Sequence, residues 1–200
     1  MKIGLLGGTF DPPHLGHLRA ARAAERTAGL DTVLFVPCAR QPLKKAPPQA
    51  SPFHRAAMVA LALWGRSRWL LEDCELRRGG TSYTVETIRE LGSRYRGAEL
   101  YLILGADAFE SLPKWKDHAE IVKRCRLLVV PRPGTSPYLL LGANLLPRVA
   151  LCRTRPLAIS SSEVRRRTAE GLDLSGWVPA EVGGYIRRHG LYQTVRGPNR

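Results

Sequence analysis

The sequence predicts an α/β fold in which a parallel sheet carries helices on both faces. Strand-like and helix-like segments alternate from the start, the pattern of strand–helix–strand units. An apolar run at residues 3–6 empties into two glycines and a proline turn before a helical pattern begins. A chain of 200 residues fits one domain that buries roughly 70 per cent of its unfolded surface without a metal or disulfide staple.

Residues 16–28 place Leu18, Ala21, Ala24 and Ala28 on one helix face with Arg19, Arg22 and Arg26 largely opposite, and the pattern stops at Gly29. Residues 32–36 are apolar and β-branched, as a buried central strand requires, and Pro37 ends them. The stretch 38–52 contains Pro42, Pro47, Pro48 and Pro52 and reads as a long loop, a class that is usually functional or mobile. Residues 53–64 return to helix with Met58, Leu61 and Trp64 as core candidates. Residues 69–76 read as a strand broken at Gly79 and Gly80, after which Thr81 or Ser82 would cap a helix over 83–95. Glu86 falls in its first turn, where the helix dipole favours an acid.

Residues 99–104 form the clearest strand of the second half and lead into Gly105-Ala106-Asp107. A short helix and the turn Leu112-Pro113-Lys114-Trp115 follow, then a helix at 117–124 and a strand at 126–130 closed by Pro131-Arg132-Pro133-Gly134. Residues 135–147 read as a loop with an extra helical turn, and 148–153 as the last parallel strand. Helices are expected from 159 to about 170 and over 179–189. The organisation is thus a single domain: a core at 1–158, a helical C-terminal subregion at 159–192 and a basic tail at 193–200.

The net charge of +14 is the one compositional outlier. Its arginines are scattered, and no RNA-binding module or run of interleaved aromatics accompanies them, so a nucleic-acid partner is not expected. Polyanionic small-molecule substrates or a preference for arginine codons account for the excess equally well. The four cysteines are widely spaced without a CxxC pair and read as reduced thiols. With no signal-peptide pattern and no run of about twenty apolar residues, the expected location is the cytoplasm, away from membranes. The sequence leaves room for a homo-oligomer.

The chemistry concentrates in Gly7 to His17, GGTFDPPHLGH. Gly7 and Gly8 let the main chain approach a ligand closely, and free N–H groups at the following helix start face an anion. His14 and His17 add donors to the same place, with a pKa near enough to neutrality for a bound phosphate to hold them protonated. A glycine pair alone would read as a turn beside surface histidines; the full string is far more restrictive. Further along, each candidate has a plain structural alternative. Lys44 and Lys45 are substrate contacts or a solvated pair, and Asp107 is a ribose acceptor at a strand's carboxyl end or a helix cap. Trp115 offers a stacking face or fills the core, and Ser161 and Ser162 cap a helix or, with Arg165, meet phosphate.

The histidine string resembles the signature of the HxGH nucleotidyltransferase superfamily, related to class I aminoacyl-tRNA synthetases. Taken with Pro42-Leu43-Lys44, Arg55 and Met58, Ser82-Tyr83-Thr84, Gly105-Ala106-Asp107, Leu112 to Trp115, Arg132-Pro133-Gly134, Ile159 to Arg165 and the closing Gly190-Leu191-Tyr192, it closely resembles bacterial nicotinate-nucleotide adenylyltransferase over nearly the whole chain. The resemblance implies a Rossmann-like doubly wound sheet of the nucleotidyltransferase type. It also implies magnesium-dependent transfer of AMP from ATP to nicotinate mononucleotide, in NAD biosynthesis. By the same resemblance Gly7, Gly8, Thr9, Phe10, His14, Gly16 and His17 would hold ATP, with Gly105, Asp107, Ile159, Ser161, Ser162 and Arg165 completing its site. Lys44, Ser82, Tyr83, Thr84, Asp107, Trp115 and Arg132 would receive nicotinate mononucleotide, the tryptophan stacking on its ring. His14, His17, Lys44 and Arg165 would carry catalysis, and no residue is assigned to metal. Leu43 stands where that family commonly has histidine, Glu86 where aspartate is usual and Ser162 where threonine is usual.

Overall fold

The structure is a computed structural model and describes residues 1–44, 46–132, 146–155 and 157–193. Six strands form a single sheet: β1 (Lys2–Gly8), β2 (Thr32–Pro37), β3 (Trp69–Leu71), β4 (Glu99–Gly105), β5 (Arg126–Val130) and β6 (Val149–Leu151). Their spatial order is β3-β2-β1-β4-β5-β6, and every neighbouring pair is parallel. Strand order therefore reverses between β1 and β4, where ligands of open α/β sheets lie.

Both faces of the sheet are buried, which explains the nearly continuous apolar runs. Leu6, Phe35, Ile103 and Leu128 point to one core with Leu18, Ala21 and Ala24 of α1 (Leu15–Ala28) and Met58 of α2 (Pro52–Ala62). The C-terminal helices α7 (Ser161–Ala169) and α8 (Ala180–Arg188) cover the same face through Val164, Val182 and Ile186. Ile3, Leu5, Leu34, Leu102 and Leu127 point the other way, against α4 (Thr84–Arg94), α5 (Ala106–Ser111) and α6 (His118–Arg124). The alternation of neighbouring residues between two cores is the period of two that strands impose. The predicted doubly wound sheet is present.

Local chemistry corrects three expectations. The strand expected over 69–76 stops at Leu71, and Cys74–Arg78 forms the short helix α3. The buried Glu72 carboxylate accepts the Cys74 N–H at 3.1 Å and turns the chain. Trp64 is 80 % exposed because α2 ends at Ala62 and Leu63 takes the core position. Neither Thr81 nor Ser82 caps α4; Tyr83 occupies that position, and the Ser82 hydroxyl instead accepts the Ala39 N–H at 3.0 Å.

Residues 146–148 form a 3-10 turn before β6, which is shorter than the strand expected at 148–153. Lys45, Pro133, Gly134, the loop expected over residues 135–145 and the tail from 194 lie outside the described residues.

Candidate active site

β1 ends where Gly7 and Gly8 pair with Val36 and Pro37 of β2, and the chain then turns through residues 9–14 into α1. Phe10 plugs this turn from beneath at φ 49°, 1 % exposed, with its ring against Phe35 and His17. A buried aromatic thereby fixes a backbone that other residues of the turn expose.

A cavity of about 610 Å³ opens above the sheet at the strand-order reversal, a volume in the range of sites for small organic ligands. Gly7, Gly8, Thr9, His14, Gly16 and His17 line one wall. Ser82, Tyr83, Thr84, Gly105, Asp107 and Trp115 line the cavity as well, as do Lys44, Arg132 and Ile159. Four of the predicted site residues are absent from the walls: Phe10, Ser161, Ser162 and Arg165.

The two histidine rings stack at 3.7 Å, and His17 Nδ1 accepts the main-chain N–H of His14 at 3.2 Å. Neutral His17 therefore carries its proton on Nε2, which makes it a donor there. Gly16 stands between them because a Cβ would come within 2.9 Å of His14 Nδ1. That nitrogen is buried and has no hydrogen-bond partner in the structure, so the site retains an unsatisfied polar group. Burial, reinforced by Arg132, pushes His14 down to about 3; burial, then His14, Arg132 and Lys44, hold His17 well below its ordinary value. Both imidazoles are thus neutral near pH 7, and only an arriving anion would protonate them.

This depression has a stability consequence. Between an ordinary value of 6.5 and about 3, the unfolded chain binds a proton at His14 that the folded protein refuses. Stability therefore rises with pH through that interval and falls on acidification. His14→Asn is expected to flatten this acid limb by a few kcal/mol at most, roughly 1.4 kcal/mol per unit of displacement. Urea midpoints measured from pH 7 down to pH 4 (~three units across this limb) check it, and parallel profiles would exclude the assignment.

The other walls are built by ion pairs and ring contacts. Asp107 at the start of α5 pairs with Arg132 just beyond β5 at 2.9 Å. A Cβ on Gly105 would lie 2.6 Å from the same carboxylate, so the strand end is closed around it. Trp115 Nε1 donates to Ser111 Oγ at 3.1 Å, which fixes the indole in the wall. Lys116 lies 4.4 Å over the Tyr83 ring and pairs with Glu86 at 2.8 Å. Lys44 Nζ donates to Thr9 Oγ1 at 3.3 Å, bringing the proline-rich loop to the glycine turn.

Arg165 and its neighbours bond to the turn after β1. Arg165 donates to the main-chain oxygen of Asp11 at 2.7 Å and to Ser162 Oγ at 3.3 Å, while Ser161 Oγ donates to Pro12 O at 2.9 Å. The turn after β1 exposes carbonyls that no helix or strand satisfies, and α7 supplies their donors. Ser160, the residue before, is the helix cap.

Asp11 and Arg55 give this loop its fixed shape. Asp11, 4 % exposed, accepts from the Gln49 and Ala50 N–H groups at 2.8 and 3.0 Å and from the Tyr192 hydroxyl at 2.8 Å. Arg55 is fully buried and donates to the Thr9, Cys38 and Ala39 carbonyls at 2.8, 2.7 and 3.4 Å. Its sequence signal was only its place in a resemblance; nothing local marks a buried arginine on an amphipathic helix. All four cysteines are buried and free, and among the described residues no helix is long and apolar enough to cross a membrane.

A parallel sheet whose strand order reverses beneath a glycine turn, paired histidines and a mixed polar cavity is the arrangement in which open α/β sheets take their ligands. The Cytidylyltransferase-like family model matches residues 5–167. A protein of Thermus thermophilus with the name "Probable nicotinate-nucleotide adenylyltransferase" is 44% identical over 193 residues, covering 96% of this chain and 100% of its own length. One of the same name from Gemmatimonas aurantiaca is 39% identical, with 96% and 93% covered. The chain belongs to the nicotinate-nucleotide adenylyltransferases within the Cytidylyltransferase-like family. Its fold matches the nicotinic acid mononucleotide adenylyltransferase of Plasmodium falciparum complexed with NaAD, with TM-score 0.77, 19% identity and coverage of 96% and 97%.

Proposed function

We infer that this chain transfers the adenylyl group of ATP to nicotinate mononucleotide, forming nicotinate adenine dinucleotide and pyrophosphate in NAD biosynthesis. The observation that carries this reading is the cavity itself, which the HxGH turn lines together with Thr84 and Trp115 at the reversal of strand order. One wall suits a triphosphate and the other an aromatic ring.

A phosphate oxygen of the mononucleotide attacks the α-phosphorus of ATP. A new P–O–P linkage forms, the α–β bridging bond breaks, and its electron pair leaves on pyrophosphate. The attacking group is already an anion, so no general base is needed, and catalysis reduces to alignment and charge neutralisation. His17 would donate from Nε2 to the phosphates, and Lys44, tied to Thr9, would add charge from the loop. Asp107 would accept from a ribose hydroxyl, and Trp115 would stack on the pyridine ring. Arg165 would act one step removed, by holding the carbonyls of the triphosphate turn.

The donor set fits a magnesium ion held mainly by substrate. Among the described residues no group of three or more His, Cys, Asp or Glu gathers to cage a metal, and magnesium on nucleotides keeps most of its waters. Asp107, one of the carboxylates that line the cavity, would reach toward such an ion or its waters. When bound, magnesium would supply charge neutralisation across the phosphate oxygens.

The test offers the protein ATP and magnesium with nicotinate mononucleotide, its amide or phosphopantetheine, and follows pyrophosphate. Release with the acid mononucleotide is expected; release with phosphopantetheine alone would assign a different acceptor.

A further inference from the structure

Tyr192 lies just beyond the end of α8 and is absent from the cavity walls, yet its hydroxyl reaches the turn after β1 and donates to Asp11 Oδ1 at 2.8 Å. α8 is docked without that bond. Val182 and Ile186 are fully buried, and the Tyr185 hydroxyl lies 2.9 Å from His54 Nδ1 on α2. The chain then reverses through Gly190 at φ 58° and Tyr192 at φ 62°. A residue with a bulky side chain is strained in this left-handed region, so the fold accepts strain at Tyr192 while aiming its hydroxyl at Asp11. Burial, then the Asp11 charge and the hydrogen bond to it, raise the tyrosine pKa, and the phenol stays protonated as the donor.

The Asp11 carboxylate joins three segments. Oδ1 takes the Ala50 N–H at 3.0 Å together with the Tyr192 hydroxyl, Oδ2 takes the Gln49 N–H at 2.8 Å, and Arg165 stands 3.9 Å from Oδ2. Gln49 and Ala50 end the long loop that leaves β2 and carries Lys44. Arg55 holds the start of that loop through the Cys38 and Ala39 carbonyls. Its middle meets the glycine turn where Lys44 Nζ donates to Thr9 Oγ1. The turn that leads to His14 and the loop that carries Lys44 thus share an anchor at Asp11, and a displaced carboxylate moves both.

We propose that Tyr192 is a positioning residue for the ATP triphosphate: acting through Asp11, it fixes the turn that leads to His14 and His17 relative to the loop that carries Lys44. It touches no reacting atom. The inference rests on the assignment of that turn to the triphosphate.

Titration calorimetry with ATP and magnesium, read beside steady-state pyrophosphate release with each substrate varied against saturating amounts of the other, tests this. Thermal melting shows which variants are folded at the assay temperature. Tyr192→Phe keeps the ring and removes the hydroxyl. It is expected to raise Kd and KM for ATP about ten-fold and KM for nicotinate mononucleotide less than about two-fold, the scale of losing a hydrogen bond to a charged group. Adding Tyr192→Phe to Asp11→Ala should cost less than about two-fold further, because residues acting through one another are not additive.

An unchanged Kd for ATP in Tyr192→Phe, a parallel rise in both KM values, or full additivity with Asp11→Ala would each overturn the proposal. Should Tyr192→Phe fail to fold, Asp11→Asn decides, since its amide sets a donor in place of one of the accepting oxygens: a selective rise in KM for ATP supports the anchor, and no change removes it. Failure of the functional reading looks different. The parent protein would then bind ATP yet release no pyrophosphate with nicotinate mononucleotide, and the Kd for ATP would still decide the role of Tyr192. A parent protein that binds no ATP would overturn both.

Discussion

His17→Ala is expected to lower kcat/KM by about two to three orders of magnitude with the fold intact, because one preorganised donor to developing charge is worth roughly 3 to 4 kcal/mol. The geometry explains why the loss should be catalytic. His17 is half-buried on the cavity wall, its ring rests on His14 and the Phe10 edge, and its Nδ1 is committed to the His14 N–H. Alanine keeps α1 helical and removes the Nε2 donor. If the donor acts mainly in the transition state, kcat falls with kcat/KM and KM moves little. Initial rates together with circular dichroism separate the cases; turnover close to that of the parent protein would remove His17 from catalysis.

Arg55→Ala should instead act on stability, by about 3 to 5 kcal/mol, the range for breaking one side of a buried charged network. For a chain of this size that lowers Tm by about 10 °C. Burying a guanidinium is itself costly, and its Nε already lacks a partner, so replacing a buried charge is sometimes neutral. Here the three carbonyls that Arg55 satisfies, the buried Cys38 oxygen and the part-buried Thr9 and Ala39 oxygens, would lose their donor, and a buried group left so costs about 1 to 3 kcal/mol. Arg55→Met separates the contributions: it refills the space but supplies no donor, so most of the loss should persist. Calorimetry on both variants checks this, and a methionine variant as stable as the parent would show that the carbonyls find other partners.

What the sequence disclosed and what it withheld have physical reasons. Strands buried on both faces announce themselves as apolar runs, which is why β1, β2, β4 and β5 stood within a residue or two of their expected bounds. Residues 69–76 misled because a short edge strand and a following buried helix share one apolar pattern, and the capping carboxylate of Glu72 decides between them. Trp64 misled because a helical period carries no sign of where the helix stops. At the site, the wall residues Thr84, Asp107 and Trp115 were legible at strand ends and in motifs. Asp11 and Arg55 were not assigned roles, since each acts through main-chain or hydroxyl groups remote in sequence. Ser161 and Arg165 stood out at the start of their helix, but the carbonyls of the turn after β1 that they bond lie too far away in sequence to be read from it.

The contact between Asp11 and Tyr192 bridges 181 positions, and those of Arg165 and Ser161 with the same turn bridge 154 and 149. Such long-range closures form late, since chain entropy must be lost before they return anything. During synthesis the glycine turn is made 149 to 181 positions ahead of the groups that complete it. The sheet can assemble well before the site has its final shape, so the capacity to bind nucleotide should mature only as the C-terminal segment docks.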